Sequence, residues 1–254
     1  KAGIIKPGVP VVIGDVDKEN VMRVFREKAR EVNAPLYAST ELAPLQSCEL
    51  GEDNRWHFRT KDFGELTGEL GGMVQARNAS TVLTSVSVLR EIGIPIPVEA
   101  VRDAFARVVE LTGLMGRWQT VHTSPRVVCD TGHNTGGWEF LSRQLADEAK
   151  RCRTLRMVVG MVNDKDIDGV LSLMPKEAVY YFTQASVARA LPVDEFAEKA
   201  CRHGLKGGTY PNVGEAVRSA LQDASEKDFI FVGGSTFIVA DAYPLLEGNE
   251  KTEQ

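Results

Sequence analysis

Three apolar runs in the chain lead directly into residues able to bind anions or carry protons. Arg126-Val-Val-Cys-Asp130 is followed by Thr131-Gly-His133-Asn134-Thr-Gly-Gly137. An Asp at a strand tip can accept hydrogen bonds from ribose hydroxyls, and glycines let backbone N–H groups approach an anion at the next helix start. His133 and Asn134 then face the same crevice. The alternative is local: Asx turns and a helix cap, with His133 a partly exposed bystander. Met157–Val162 leads into Asn163-Asp164-Lys165-Asp166, either a charged lip over that crevice or an N-cap at Asp166 with Lys165 solvated. Phe229–Gly233 leads into Gly234-Ser235, a turn able to take a carboxylate or phosphate, or simply one that packs closely.

Two further clusters lie upstream. Gln75, Arg77 and Asn78 stand at a helix start, where amide side chains offer a purine edge both a donor and an acceptor. They serve equally as a polar helix face and its cap. Arg117, between Gly116 and Trp118, suits a mobile phosphate contact or an ordinary surface ion pair. No G-x-x-x-x-G-K-[ST], G-x-S-x-G or H-E-x-x-H pattern occurs. These residues therefore hold no P-loop and follow neither the common serine hydrolase plan nor the zincin plan.

The elements that must position these groups follow from periodicity. Val9–Ile13 and Ala34–Ala38 read as strands around an amphipathic helix from Asp17 to Val32, a strand–helix–strand unit of a parallel sheet. Residues 40–72 turn short and polar, and Trp56-His57-Phe58 suggests a hairpin or irregular insertion. Helices follow at Gln75–Ile92 and, after Pro97, at Val98–Leu111. Thr112–Arg117 breaks the pattern between glycines, so the domains divide as 1–114, a linker at 115–124, and 125–254.

From residue 125 strands and helices alternate. Strands read at Arg126–Asp130, Met157–Val162, Ala178–Gln184, Gly207–Tyr210 and Asp228–Gly233, with helices at Trp138–Arg151, Ile167–Met174, Val193–His203, Val213–Ala224 and from Thr236. Repeated βα units of this kind give an α/β fold, a Rossmann-like doubly wound sheet. In such a sheet ligands gather at the carboxyl ends of the strands, where the singled-out residues fall.

Composition bounds the function. The 254 residues are 43% hydrophobic and 26% charged, in the globular range, so wholesale disorder and fibrous repeats are excluded. Thirty Lys and Arg against 35 Asp and Glu give a net charge of −5, which argues against a broad nucleic-acid surface. No uncharged run is longer than the dozen residues of Phe229–Ala240, which is too short and too glycine-rich for a bilayer span, so no membrane partner is expected. Cys48, Cys129, Cys152 and Cys201 form no C-x-x-C pair and read as reduced, buried thiols. No basic-then-apolar leader is present, so a cytoplasmic protein is expected. Residues 248–254 read as a disordered tail.

Six landmarks stand in a specific order: Lys1-Ala-Gly-Ile-Ile-Lys-Pro-Gly, Gln75-Ala-Arg-Asn78, Gly116-Arg117, Asp130-Thr-Gly-His133-Asn134, Asp164-Lys-Asp and Gly234-Ser235. Together, over essentially the whole chain, they resemble the later part of the folylpolyglutamate synthases and bifunctional dihydrofolate synthases, within the Mur ligase superfamily. The resemblance implies the second half of a Mur-ligase-type ATPase domain followed by a C-terminal glutamate-ligase domain. It implies ATP-dependent joining of L-glutamate to a folate or dihydropteroate carboxylate through an acyl phosphate. ATP, Mg2+ and, as a further option, a monovalent cation are the implied cofactors, and a monomer is expected.

By the same resemblance Lys1 matches a carbamylated lysine that helps organise the magnesium site, and Asn78, with Gln75 beside it, the adenine contact. Arg117 matches an arginine reaching the ATP phosphates and Asp130 the ribose-binding carboxylate. His133 and Ser235 match positions near the glutamate and the reacting phosphate. Val74, Gln119 and Thr135 depart from the His, Glu and Pro usual at their positions. A muramyl peptide ligase and a non-catalytic nucleotide-binding module are the alternatives; the Lys-Ala-Gly-Ile run favours folate. The family's P-loop precedes the Lys-Ala-Gly-Ile segment, so the chain reads as a fragment and is expected to be catalytically silent alone, a loss on the order of 10⁵ or more in rate. The check is ADP release and glutamylated product from Mg-ATP, a reduced folate and glutamate; turnover near that of an intact ligase would relocate the phosphate site.

Overall fold

The computed structural model describes residues 1–16, 18–163 and 166–247, and it divides into two compact units, Lys1–Gly113 and Leu114–Gln254. The expected helix start at Asp17, the Asp164-Lys165 pair and the tail from Gly248 lie outside the described residues.

In the first unit a 3-10 turn at Ala2–Ile4 precedes strand β1 (Val11–Ile13), helix α1 (Glu19–Glu31) and strand β2 (Leu36–Ala38). β1 and β2 pair in parallel, with Val12 opposite Tyr37. Both strands are shorter than expected, and Pro10 and Pro35 stand just before them: a proline has no N–H to give a ladder. Pairing starts where Val11 N–H reaches Pro35 O at 2.8 Å. Ile13, Met22 and Ala38 form the small core beneath α1.

The polar stretch that follows is regular. After a one-turn helix, α2 (Ser39–Leu42), strands β3 (Leu45–Leu50), β4 (Trp56–Thr60) and β5 (Glu65–Gly68) form an antiparallel sheet in sequence order. Burial alternates along β4, with Trp56, Phe58 and Thr60 inside and His57 and Arg59 outside, the mark of a sheet covered on one face. Helices α3 (Gln75–Glu91) and α4 (Val98–Ala106) supply Leu83 and Val101 to the core of Trp56, Phe58 and Leu66. The single helix expected to Leu111 breaks at Arg107, and a short helix α5 (Val108–Thr112) follows. Glu69 explains the break, because its Oε2 accepts the Val109 N–H at 2.8 Å at the start of α5.

The second unit is a six-stranded sheet. Its elements are β6 (Gln119–Thr123), β7 (Arg126–Asp130), α6 (Thr135–Ala149), β8 (Leu155–Val159), α7 (Ile167–Leu173), β9 (Val179–Phe182), α8 (Val193–Arg202), β10 (Lys206–Thr209), α9 (Val213–Asp223), β11 (Phe229–Gly233) and α10 (Thr236–Glu247). The order across the sheet is β10-β9-β8-β11-β7-β6, parallel except for β6. β6 adds a strand to the five expected and lies in the stretch read as a linker. Its polar Gln-Thr-Val-His-Thr sequence hides it because it is a half-exposed edge.

Alternate residues of each inner strand feed opposite layers. Val128, Met157, Val159, Tyr180, Phe182, Phe229 and Phe231 meet α6, α7 and α8 on one face. Val127, Cys129, Val158, Tyr181, Ile230 and Val232 meet α9 and α10 on the other. This is the doubly wound α/β architecture the pattern predicts. Cys129 alone among the cysteines is fully buried, and burial pushes its thiol up to about 12; Cys48 and Cys201 are exposed, against expectation.

β8 begins earlier than predicted, at Leu155, and includes Arg156. A charge inside a strand argues against pairing unless it is satisfied, and here it is. Arg156 Nε donates to Asp228 Oδ2 at 2.9 Å, Nη1 to Tyr181 Oη at 2.7 Å and Nη2 to Asp223 O at 2.6 Å. Tyr181 Oη donates to Asp223 Oδ2 at 2.8 Å. Burial alone would raise the Asp228 carboxyl; the Ser225 N–H and hydroxyl together with Arg156 outweigh it and hold the carboxyl below its usual range. A depressed folded pKa gives stability that is present above the unfolded carboxylate range and lost as pH falls through the folded value. Arg156→Met should cost about 3–5 kcal/mol in urea unfolding at pH 7, the order for breaking a buried pair, with a smaller penalty near pH 3. A cost below about 1 kcal/mol would show a solvated, weak pair.

Candidate functional site

Strands β8, β11 and β7 are neighbours, so their carboxyl ends converge: Gly233 stands opposite Asp130 on one side and Val159 on the other. At Gly234 φ is +90°, and a Cβ there would lie 2.7 Å from Gly160 O. Glycine is required on both counts. The close-packing reading of this turn is therefore realised, and the backbone leaves β11 directly over the tip of β8. Ser235 is buried, and its Oγ accepts the Phe237 N–H at 3.2 Å, capping α10.

Asp130 ends β7, is only 8% exposed, and uses both carboxylate oxygens. Oδ1 accepts the Gly132 N–H at 2.7 Å, the Asx turn of the local reading, and Oδ2 accepts the Trp118 N–H at 2.7 Å. The carboxylate thus clamps the Gly116–Trp118 turn onto the strand tip, and each oxygen keeps a second lone pair. Arg117 is half-buried in that turn, and among the described residues its guanidinium makes no hydrogen bond or ion pair. The turn is anchored inward by Trp118, which stacks on Phe229 with ring centroids 6.0 Å apart.

His133 is half-buried, with Nδ1 3.0 Å from Thr131 O. A carbonyl only accepts, so Nδ1 carries the proton and a neutral ring keeps Nε2 as an acceptor. Asn134 caps α6, its Oδ1 taking the Gly137 N–H at 2.8 Å, which starts that helix at Thr135 rather than at Trp138. Asp166 likewise caps α7 by accepting the Gly169 N–H at 3.0 Å.

In the first unit Gln75 and Asn78 share one helix face, and Asn78 Nδ2 donates to Gln75 Oε1 at 3.0 Å. Both line a cavity of about 210 Å³ whose other walls include Phe58, Leu70, Val82 and Phe105. The combination is an apolar slot edged by two amides. Arg77 turns away and pairs with Asp15, Nε to Oδ2 at 2.5 Å. Lys1 is exposed. Among the described residues no group of three His, Cys, Asp or Glu side chains could hold a metal ion, so this donor set does not by itself make a Mg2+ site.

Residues 116–236 match the Mur ligase, glutamate ligase domain. The dihydrofolate synthase/folylpolyglutamate synthase of Escherichia coli K12 is 29% identical over 97% of the chain. The chain spans 54% of that relative's length. Among solved structures, the folylpolyglutamate synthase of Mycobacterium tuberculosis complexed with ADP and AMPPCP superposes with a TM-score of 0.81 at 24% identity, covering 96% of this chain and 57% of that one. The bifunctional enzyme of Yersinia pestis complexed with AMPPNP and Mn gives 0.70 at 26% identity, covering 96% and 55%. No helix among the described residues is long and apolar enough to cross a membrane.

In the second unit, Gln119 and Tyr243 escaped the sequence reading as contributors to the Arg117 turn: Gln119 Oε1 accepts the Gly116 N–H, and its Nε2 donates to Tyr243 Oη. Gln119 drew notice only as a departure from Glu, and nothing in a sequence shows a contact across so much chain.

Burial pushes the Asp130 carboxyl up to about 6, against the lowering pull of the Gly132 and Trp118 N–H groups and of Arg117. A carboxyl with a raised folded pKa favours folding most below its unfolded value, and that advantage is lost as pH rises through the folded one. A rise from 3.8 to about 6 corresponds to about 3 kcal/mol. Wild-type stability relative to Asp130→Asn should therefore fall by that order between about pH 4 and pH 7. Carboxyl NMR should place the Asp130 midpoint near 6 and move it upward in Arg117→Ala; a midpoint near 4 would show a hydrated carboxylate.

Proposed function

We propose that this chain is part of an ATP-dependent acid–amino-acid ligase that joins L-glutamate to a folate or dihydropteroate carboxylate. The observation that carries this reading is the similarity to the Escherichia coli enzyme along 97% of the chain, which takes in the Gln75/Asn78 helix as well as the glutamate ligase domain. Every relative described above acts on folates, which favours this substrate class over a muramyl peptide.

A carboxylate resists attack by an amine until one oxygen becomes a good leaving group, and phosphorylation by ATP supplies it. In the first unit, Gln75 and Asn78 offer donor and acceptor to the edge of an adenine whose faces meet the apolar cavity walls. In the second, Asp130 keeps lone pairs for ribose hydroxyls, and Arg117 offers its guanidinium to phosphate oxygens, offsetting charge as it builds. His133, with Nε2 left as an acceptor, and the Gly234-Ser235 turn stand at neighbouring strand tips as candidates for the ammonium and carboxylate of glutamate. When bound, Mg2+ would neutralise phosphate charge; Lys1 would contribute to its organisation only as a carbamate, because an ammonium group repels the ion. Residues 1–114 belong in this reading to the ATP-binding domain and 125–254 to the glutamate-ligase domain. The protein is proposed to work as a cytoplasmic monomer.

Calorimetry with Mg-ADP tests the nucleotide part. The chain should bind ADP in preference to GDP, and Asn78→Ala should weaken ADP about tenfold, or about 1.4 kcal/mol, at an unchanged melting temperature. Equal affinity of wild type and variant would remove Asn78 from the nucleobase site.

A further inference from the structure

The turn that presents Arg117 is held from more than one side. Gly116 O accepts the Thr131 N–H at 2.9 Å, and Trp118 N–H donates to Asp130 Oδ2 at 2.7 Å. At the other end, Gly116 N–H donates to Gln119 Oε1 at 2.8 Å, and Gln119 Nε2 donates to Tyr243 Oη on α10 at 3.0 Å. The backbone needs such anchors. Gly116 has φ +69° and Trp118 has φ +51°, a left-handed conformation that costs a residue with a side chain on the order of 1 kcal/mol or more. A Cβ on Gly116 would meet Thr131 Cγ2 at 2.8 Å and Val239 Cγ1 at 3.0 Å, so the turn is wedged between the tip of β7 and α10. The backbone on both sides of Arg117 is thus fixed while its guanidinium forms no hydrogen bond or ion pair among the described residues.

We propose that Gln119 is a positioning residue for Arg117: its amide fixes the Gly116 end of the turn and ties it, through Tyr243, to the helix that Ser235 caps. The proposal rests on the reading of Arg117 as a phosphate contact. A glutamate can accept both the Gly116 N–H and the Tyr243 O–H, so either residue closes the same bridge. Methionine has similar length and closes neither half.

The test uses the full chain as wild type, Gln119→Glu, Gln119→Met, Arg117→Ala and the Arg117→Ala/Gln119→Met double variant, with Mg-ADP and adenosine as probes in calorimetry. Gln119→Met should weaken ADP about tenfold and leave adenosine unchanged, while Gln119→Glu stays within about twofold of wild type. In the Arg117→Ala background Gln119→Met should add nothing, since a residue acting through Arg117 has no effect once Arg117 is gone. Amide hydrogen exchange should show lost protection at Gly116 and Trp118 in Gln119→Met and retained protection in Gln119→Glu. Additive effects of the two substitutions, an equal loss for ADP and adenosine, or unchanged ADP affinity in Gln119→Met each overturn the positioning role while leaving the Arg117 reading intact. If Arg117→Ala binds ADP as wild type does, or wild type does not bind it, the phosphate reading fails and the proposal falls with it.

Discussion

The second unit depends on one buried carboxylate. Asp130 sits where a parallel strand runs out of hydrogen-bonding partners, and its two oxygens take the backbone N–H groups of the segments on either side, Trp118 and Gly132. Removing a carboxylate from water costs more than those two bonds return, as its raised pKa shows. That cost is consistent with a functional position rather than a purely stabilising one. The clamp is one of the anchors that hold the left-handed Trp118, beside the bonds from Gly116 to Thr131 and Gln119.

Polar groups are concentrated at the two ends of the sheet for different reasons. At the carboxyl end, Asp130, His133 and Ser235 are partly satisfied by backbone and retain capacity for a ligand. At the amino end, Arg156, Tyr181, Asp223 and Asp228 bind one another through several short bonds. The apolar layers between them pack on alternate residues, so the ends are joined by rigid strands. Geometry at the carboxyl end is therefore inherited from packing rather than set by the loops alone.

Much of this was legible in the sequence, because period-2 and period-3.6 patterns report burial directly. The βα rhythm from residue 125 and the caps at Asn134 and Asp166 follow from local patterns. What was hidden depended on contacts distant in sequence. β6 is a polar edge strand, the β8 start carries a charge paired with Asp228 and hydrogen-bonded to the Asp223 carbonyl, and the helix break at Arg107 is set by Glu69. The Asp130 side chain illustrates both sides: its location at a strand tip is local, whereas its grip on Trp118 is not. The Asx turn at Asp130 uses one lone pair of one oxygen, which leaves room on the same group for the ligand role proposed for it.

The chain has three tryptophans, and all are buried: Trp56 in the first unit, Trp118 and Trp138 in the second. Trp118 stacks on Phe229 directly behind the Arg117 turn, while Trp138 meets Phe231 edge-on. The second unit accordingly carries an intrinsic optical probe, with one indole immediately beneath the turn and the other in the core against α6. Any rearrangement that loosens the turn exposes Trp118 first, shifting its emission to longer wavelength while Trp138 keeps the emission of a dry interior. Single-tryptophan versions would then resolve, in real time and without a label, motion at the strand tips from melting of the sheet behind them.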